Sequence, residues 1–229
     1  MLVFTPTTPQ GALGAVLCAV IVVLSLVGLT LHSDFYAGKC RRDYWAYYTN
    51  QSNLLVFLYF ALLSPLLYTY TALRILIPHA EYALMLCIML THIVYHHLLA
   101  PFLEEDTPYV LHAPDSRFAR MDSAIQHYAV PLLTFFYWLL CSPGKRMLGL
   151  ADGFIWLAFP CAYAVFVLIR ARIRGCIHQT RSAYPYPFLD VSLLGARRVA
   201  FACTLMLLGG SMAGLFGVFL VQAATFLWL

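Results

Sequence analysis

The sequence predicts an all-α membrane protein: one bundle of six transmembrane helices with short loops, formed by residues 1–229 as a single domain. Of the 229 residues, 62% are hydrophobic and only 10% are charged, and the mean hydropathy is +0.78. A soluble domain carries about 25% charged residues. This apolar surplus exceeds what one water-soluble core can bury, and it is concentrated in segments long enough to span a bilayer.

A helix needs about 20 mainly apolar residues to cross the hydrocarbon core. The first apolar segment has no Lys or Arg before it, which is typical of a retained helix and not of a signal peptide. The connections are too short to hold a soluble domain. We therefore expect membrane helices at about 11–32, 46–70, 79–100, 122–141, 153–170 and 199–227.

The basic residues are divided unequally between the two ends of the predicted bundle. Of the 14 Lys and Arg residues, only Arg74, Lys145 and Arg146 lie in the second and fourth loops. The positive-inside rule therefore places the first, third and fifth loops in the cytoplasm and both termini outside. The same rule accounts for the net charge of +4, so no nucleic-acid partner is expected. The other eleven are Lys39, Arg41, Arg42, Arg117, Arg120, Arg170, Arg172, Arg174, Arg181, Arg197 and Arg198.

A run of five polar residues, Thr49-Asn50-Gln51-Ser52-Asn53, stands at the head of the second helix. Thr49, Ser52 and Asn53 have helical i, i+3 and i+4 spacing and share one face. Hydroxyls and amides at membrane depth need partners inside the protein. They serve either as contacts between helices or as a functional site, and both interpretations stay open.

His127 lies one to two turns into the fourth helix, at about the depth of Thr49. Pro131 follows four residues later and cannot donate a hydrogen bond to the carbonyl of residue 127. We expect a kink there and a freed carbonyl. The imidazole is either a packing group or a general base, since it titrates near neutral pH.

His92 and His96 reach the same level from the end of the third helix, at an i, i+4 spacing that suits a metal ion. A zinc-dependent lipid amidohydrolase of the ceramidase type, with His127 as third ligand, is therefore one alternative. The pair has no Cys or Asp partner at a fixed short spacing. We accordingly predict no bound metal and no cofactor.

Three patches resemble one family: Thr49 at the head of helix two, His127 followed closely by Pro131, and Tyr186-Pro187-Phe188-Leu189 before helix six. The layout of six helices is also similar. The family is the androgen-induced-protein family of membrane threonine hydrolases, which cleave fatty acid esters of hydroxy fatty acids, with its bacterial six-helix relatives. The resemblance implies that Thr49 is the nucleophile and His127 its base.

The residues and the resemblance together predict an intramembrane hydrolase of lipid-like esters in a bacterial plasma membrane. Thr49 would form an acyl-enzyme after His127 takes its proton. The expected partners are a lipid or fatty-acyl substrate and membrane lipids. A non-enzymatic lipid-binding or transport protein is the second alternative. We expect oxyanion or substrate contacts from Asn50, Gln51, Ser52 and Asn53, and support from Asp122, His92, His96, Tyr186 and Asp190.

Overall fold

The computed structural model describes residues 9–33, 43–100, 117–177 and 181–227. It is 87% helical, with no strand in the described residues, and six helices are long and apolar enough to cross a membrane. The predicted all-α fold is therefore confirmed. The helices are α1 (Pro9–Ser33), α2 (Tyr48–Thr69), α3 (Thr71–Leu99), α4 (Arg120–Cys141), α5 (Asp152–Arg174) and α6 (Ala196–Leu227).

Several helix ends differ from the prediction, including the start of α3 and the end of α5. α3 begins with a 3₁₀ turn at Thr71 and becomes α-helical at Ile77, not at residue 79. Pro78 does not delay this start, because proline is tolerated in the first turn of a helix. α5 continues to Arg174, beyond the predicted end at residue 170. Arginine is a good helix former, so the basic run prolongs the helix.

The first four helices form the densest part of the bundle. α1 packs against α2 and α4, and α3 packs against the same two helices from the other side. Their shared core is apolar and fully buried at Ile21, Val56, Ile88 and Val130. This core fixes the relative positions of α2 and α4, which carry Thr49 and His127.

α6 approaches its neighbours closely through glycines. A Cβ atom at Gly214 would lie 2.3 Å from the Gly153 carbonyl oxygen, and one at Gly217 would lie 2.3 Å from the Tyr82 hydroxyl. The Tyr82 hydroxyl donates a hydrogen bond to the Gly214 carbonyl at 2.5 Å. Small residues of this kind let membrane helices pack backbone against backbone. α6 is thereby fixed against the start of α5 and against α3.

Three π-helical turns interrupt the membrane helices, at Tyr59–Leu63, Tyr95–Leu99 and Ile125–Ala129. Each turn ends two residues before a proline of the sequence, Pro65, Pro101 or Pro131. A proline cannot close the normal i→i−4 hydrogen bond. In the third turn the Val130 N–H bonds to the Ile125 carbonyl, an i→i−5 bond. Such turns often mark functional positions, and two of these three contribute to the site described next.

Candidate functional site

Thr49 lies in the first turn of α2, and Tyr47, the N-cap residue of that helix, is still extended. Its side chain is mostly buried, at 8% exposure. The Thr49 Oγ1 atom is 3.3 Å from Nε2 of His127 on α4. This distance suits a nucleophile and its base, whose hydrogen bond is often somewhat long before substrate binds.

The tautomer of His127 follows from its other ring nitrogen. Nδ1 is 3.1 Å from the Ser123 carbonyl oxygen and 3.4 Å from the Ser123 hydroxyl. A carbonyl can only accept, so Nδ1 carries the hydrogen. In the neutral ring Nε2 then carries the lone pair, and it accepts from the Thr49 hydroxyl. His127 is thus held in the protonation state that a general base requires.

The π-helical turn and its proline set the position of His127. Because Pro131 has no N–H, the His127 carbonyl lacks its usual helical partner. His92 of α3 supplies one, with Nδ1 donating to that oxygen at 2.8 Å. The freed carbonyl that the sequence predicts is therefore present, and His92 holds it.

Tyr95, at the start of the π-helical turn in α3, covers the other side of the base. Its ring stacks on the His127 imidazole with centroids 3.7 Å apart and planes 16° apart. The Tyr95 hydroxyl is 2.6 Å from the Ser123 hydroxyl, which is itself beside Nδ1 of His127. Stacking on Tyr95 therefore fixes the plane of the His127 ring, and the hydrogen bond to the Ser123 carbonyl fixes its rotation within that plane.

Asn53 and Ser52 tie the Thr49 turn to neighbouring helices. Asn53 Nδ2 donates to the Thr49 carbonyl at 2.8 Å and to the Gln126 carbonyl of α4 at 3.3 Å. Ser52 Oγ donates to the Thr49 carbonyl and lies 2.7 Å from the Thr91 hydroxyl of α3. These two residues, which the sequence predicts as oxyanion donors, contact the Thr49 carbonyl and keep α2 in register with α3 and α4.

Asn50 and Gln51 bond to the turn before α2. Asn50 Nδ2 donates to the Tyr44 carbonyl at 2.6 Å, and Gln51 Nε2 donates to the Trp45 carbonyl at 2.7 Å. Each amide group thereby secures the short helix Tyr44–Ala46 that leads into α2. The structure gives both side chains a role in shaping the head of α2.

The two acidic residues predicted to support the site, Asp122 and Asp190, bond to other side chains and to backbone N–H groups. Asp122 Oδ1 accepts from Gln126 Nε2 at 2.5 Å on the same helix. Asp190 Oδ1 accepts from the backbone N–H groups of Ser192 and Leu193, and its other oxygen accepts from Ser182. Asp190 therefore shapes the segment before α6, while the contact that orients His127 comes from a backbone carbonyl.

Each of the three histidines near the site has a different partner at its Nδ1 atom; they are His92, His96 and His127. His92 and His127 donate to carbonyls, and His96 Nδ1 is 3.1 Å from the Tyr128 hydroxyl. The rings of His92 and His96 stack with centroids 6.0 Å apart. Over the part of the chain that the structure describes, no three His, Cys, Asp or Glu side chains are grouped to hold a metal ion. The arrangement gives the zinc alternative no support.

Tyr186, from the segment before α6, reaches the head of α2. Its hydroxyl accepts a hydrogen bond from the Tyr48 N–H at 3.2 Å. The Thr49 side chain and the Thr49 N–H also interact with this oxygen, as does the Tyr163 hydroxyl. Burial raises the pKa of the Tyr186 phenol above its ordinary value, and the N–H groups of Thr49 and Tyr48 oppose that rise only in part. The group therefore stays protonated at neutral pH.

A cavity of about 570 Å³ opens beside Thr49, between α2 and α3 on one side and α5 and α6 on the other. This volume is typical of a small-molecule site. Thr49, Tyr95 and Tyr186 are part of its wall, while most of the remaining lining is apolar, for example Leu90, Leu168 and Met206. Arg172 is also in the wall and is exposed. Thr49 thus borders a largely apolar space.

Two residues of this site, Ser123 and Tyr95, were not predicted from the sequence. Ser123 precedes His127 by four residues, the spacing at which a helical side chain can reach a carbonyl of the previous turn. Tyr95 follows His92 by three residues and so lies on the same face of α3. Both spacings are visible in the sequence, but the rotation of α3 toward α4 is not.

The chain matches no protein-family model, no curated protein and no solved structure. The geometry of the site therefore carries the functional argument.

Proposed function

We propose that this protein is an intramembrane hydrolase of lipid-like esters, with Thr49 as nucleophile and His127 as general base. One observation carries the proposal: the Thr49 hydroxyl is 3.3 Å from an imidazole nitrogen whose lone pair is directed to it by the Ser123 carbonyl. A hydroxyl that only holds helices together needs no base in a fixed tautomer.

The chemistry divides into two half-reactions. Thr49 Oγ1 attacks the ester carbonyl carbon as its proton passes to Nε2 of His127. The imidazolium then donates that proton to the departing alkoxide, and an acyl-threonine remains. A water molecule loses a proton to His127, attacks the acyl carbon and releases the fatty acid, while Thr49 recovers its hydrogen. The Ser123 carbonyl stabilises the charged ring through each transfer.

The cavity supports a substrate with a long apolar part. Its wall offers few polar groups apart from those near Thr49 and at Arg172. An acyl chain would be stabilised there by about 0.8 kcal/mol for each buried CH₂ group. Scission of an ester at the Thr49 end releases two smaller products into the membrane phase. The apolar wall of the cavity therefore favours a fatty-acyl ester over a water-soluble ester as the substrate.

The reaction would take place near the cytoplasmic face. The Arg170 guanidinium pairs with Asp43 at 2.5 Å, so the end of the first loop and the end of α5 meet at one end of the bundle. At the other end Arg74 donates to the Tyr68 carbonyl and Lys145 to the Trp138 carbonyl. Arg74 and Lys145 thus bond to carbonyls of the preceding helices. The excess of basic residues at the Arg170 end supports a cytoplasmic location for that end. A reporter fused after Leu229 is then expected to read as extracytoplasmic.

Single and double variants test the nucleophile and the base. Because two groups that act as one unit lose activity non-additively, Thr49→Ala and His127→Ala should each abolish ester hydrolysis and fluorophosphonate labelling. The double variant should be no worse than either. Thr49→Ser should retain part of the activity, since it keeps the hydroxyl. Initial rates on a long-chain ester and gel-resolved labelling measure both effects.

Thermal stability is the matched control for this experiment. An interhelical hydrogen bond in a membrane contributes about 0.6 kcal/mol on average, so Thr49→Ala should fold normally. If Thr49→Ala keeps full hydrolysis and only lowers Tm, Thr49 is a packing residue and the proposal fails.

A further inference from the structure

We propose that Tyr186 is a third catalytic residue, whose hydroxyl donates a hydrogen bond to the oxyanion that forms when Thr49 attacks the ester carbonyl. This inference rests on the proposed function of Thr49 and names a donor that the mechanism above still lacks. Attack by Thr49 Oγ1 turns the carbonyl oxygen into an alkoxide, which needs donors placed beside it.

The position of Tyr186 is set on several sides. Its side chain is 6% exposed, and its ring stacks on Phe188 with planes 6° apart. A second aromatic contact, with Tyr47, meets it edge-on at 6.4 Å. The hydroxyl lies against the first turn of α2, and Tyr186 lines the same cavity as Thr49. A donor held in this way is already in place before the charge develops.

The hydrogen of Tyr186 is directed by the groups that its oxygen accepts from. The Tyr48 N–H donates to that oxygen at 3.2 Å, and the Thr49 N–H also interacts with it. Both are first-turn amides of an 11-residue α-helix, which have no partner within their own helix. The Tyr48 N–H engages a lone pair of the phenol, so the hydrogen of the phenol points to a different neighbour. The Thr49 side chain is one such neighbour and the Tyr163 hydroxyl is another. The substrate carbonyl oxygen lies beside Thr49 Oγ1 during attack.

The polar run of α2 does not supply this donor. The amides of Asn50, Gln51 and Asn53 donate to backbone carbonyls, and the Ser52 hydroxyl donates to the Thr49 carbonyl. Tyr186 instead approaches the Thr49 side chain from outside α2, at the boundary of the cavity. It is therefore the polar side chain best placed to meet a substrate carbonyl there.

Tyr186→Phe tests the inference, because it removes the hydroxyl and keeps the ring. With a long-chain ester, kcat should fall by about 10²–10³-fold while KM changes little, as expected for a group that acts only on the transition state. Fluorophosphonate labelling of Thr49 should slow to a similar extent, since its phosphoryl oxygen gains charge in the same place. The labelling rate constant refers to each folded molecule, so it remains informative if the variant folds poorly.

Tyr44→Phe is the matched control. Tyr44 is also buried near the head of α2, and its hydroxyl donates to the Leu29 carbonyl at 3.0 Å, away from Thr49. It should show a similar loss of Tm with kcat unchanged. If Tyr186→Phe behaves like Tyr44→Phe in kcat and labelling, the inference is wrong while the Thr49 mechanism stands. If Thr49→Ala is itself active, the proposed function fails first.

Discussion

The polar cluster of Thr49 and His127 and the polar cluster around Glu81 both lie within the membrane helices, and they differ in what they face. The Thr49–His127 cluster is at one end of the bundle, and Thr49 is part of the wall of a 570 Å³ cavity. The second cluster surrounds Glu81, about eleven residues along α3 from His92 and so about 16 Å away along the helix axis. Glu81 does not line that cavity.

One carboxyl oxygen of Glu81 accepts hydrogen bonds from two tyrosine hydroxyls. Its side chain is 2% exposed, and Oε1 accepts from the hydroxyls of Tyr59 and Tyr137 at 3.1 Å each. Oε2 has no hydrogen-bond partner among the described residues. A buried carboxyl with two donors joins α2, α3 and α4 in the way that polar groups join membrane helices. Glu81 therefore stabilises the bundle.

The comparison shows that a polar group at membrane depth is not enough to identify an active site. Both clusters satisfy the rule that intramembrane polar residues are candidates for function. Only the Thr49 cluster combines a hydroxyl, a base with a fixed tautomer and a cavity. These three features can be separated by mutation.

The largest expected difference between the clusters is in catalysis. His127→Gln and Glu81→Gln are matched changes, each replacing an ionisable group by an amide of similar size. His127→Gln should lower kcat by about 10²–10⁴-fold, the usual contribution of a general base. Glu81→Gln should leave the rate per folded molecule unchanged. Steady-state ester hydrolysis in detergent or nanodiscs measures both, and equal losses would contradict the division into a catalytic and a structural cluster.

The next effect is on stability and is expected to be larger at Glu81 than at Thr49. Glu81→Ala leaves two buried tyrosine hydroxyls without an acceptor, at a cost of about 1–3 kcal/mol for each stranded group. Glu81→Gln keeps an acceptor oxygen and should be milder. The Tm of purified protein should fall in the order wild type, Glu81→Gln, Glu81→Ala. A Glu81→Ala variant as stable as the wild type would show that the tyrosines find other partners.

A smaller loss of activity is expected at His92, which acts on the base through its backbone. His92→Leu removes the donor to the His127 carbonyl and loosens the π-helical turn, so kcat should fall by about tenfold. His92→Asn places an amide near the position of Nδ1 and should retain most of the rate. If both variants lose activity equally, His92 acts through its ring and not through this hydrogen bond.

The smallest effect is predicted at Gln51. Its amide bonds to the Trp45 carbonyl at the surface-facing side of the turn before α2. Gln51→Ala should change stability by no more than about 0.5 kcal/mol, and kcat by less than about twofold. A loss of kcat near that of Tyr186→Phe would restore the oxyanion role that the sequence assigned to Gln51.

The sequence by itself determined the fold class and the membrane helices, because hydropathy and segment length are local properties that do not depend on how the helices pack. It also placed Thr49 and His127 at one depth, since each is counted from the start of its own helix at 1.5 Å per residue. The position of Pro131 also predicted the freed carbonyl of His127, because proline has no backbone N–H in any fold.

Only the tertiary structure decided which groups meet. The Ser123 carbonyl fixes the tautomer of His127, Tyr186 reaches Tyr48 across 138 positions of the chain, and Glu81 is closed in by Tyr59 and Tyr137. These contacts depend on how far each helix is rotated about its axis. That rotation is set by the whole apolar core and by the close approach of α6 at Gly214, and no single segment of sequence contains it.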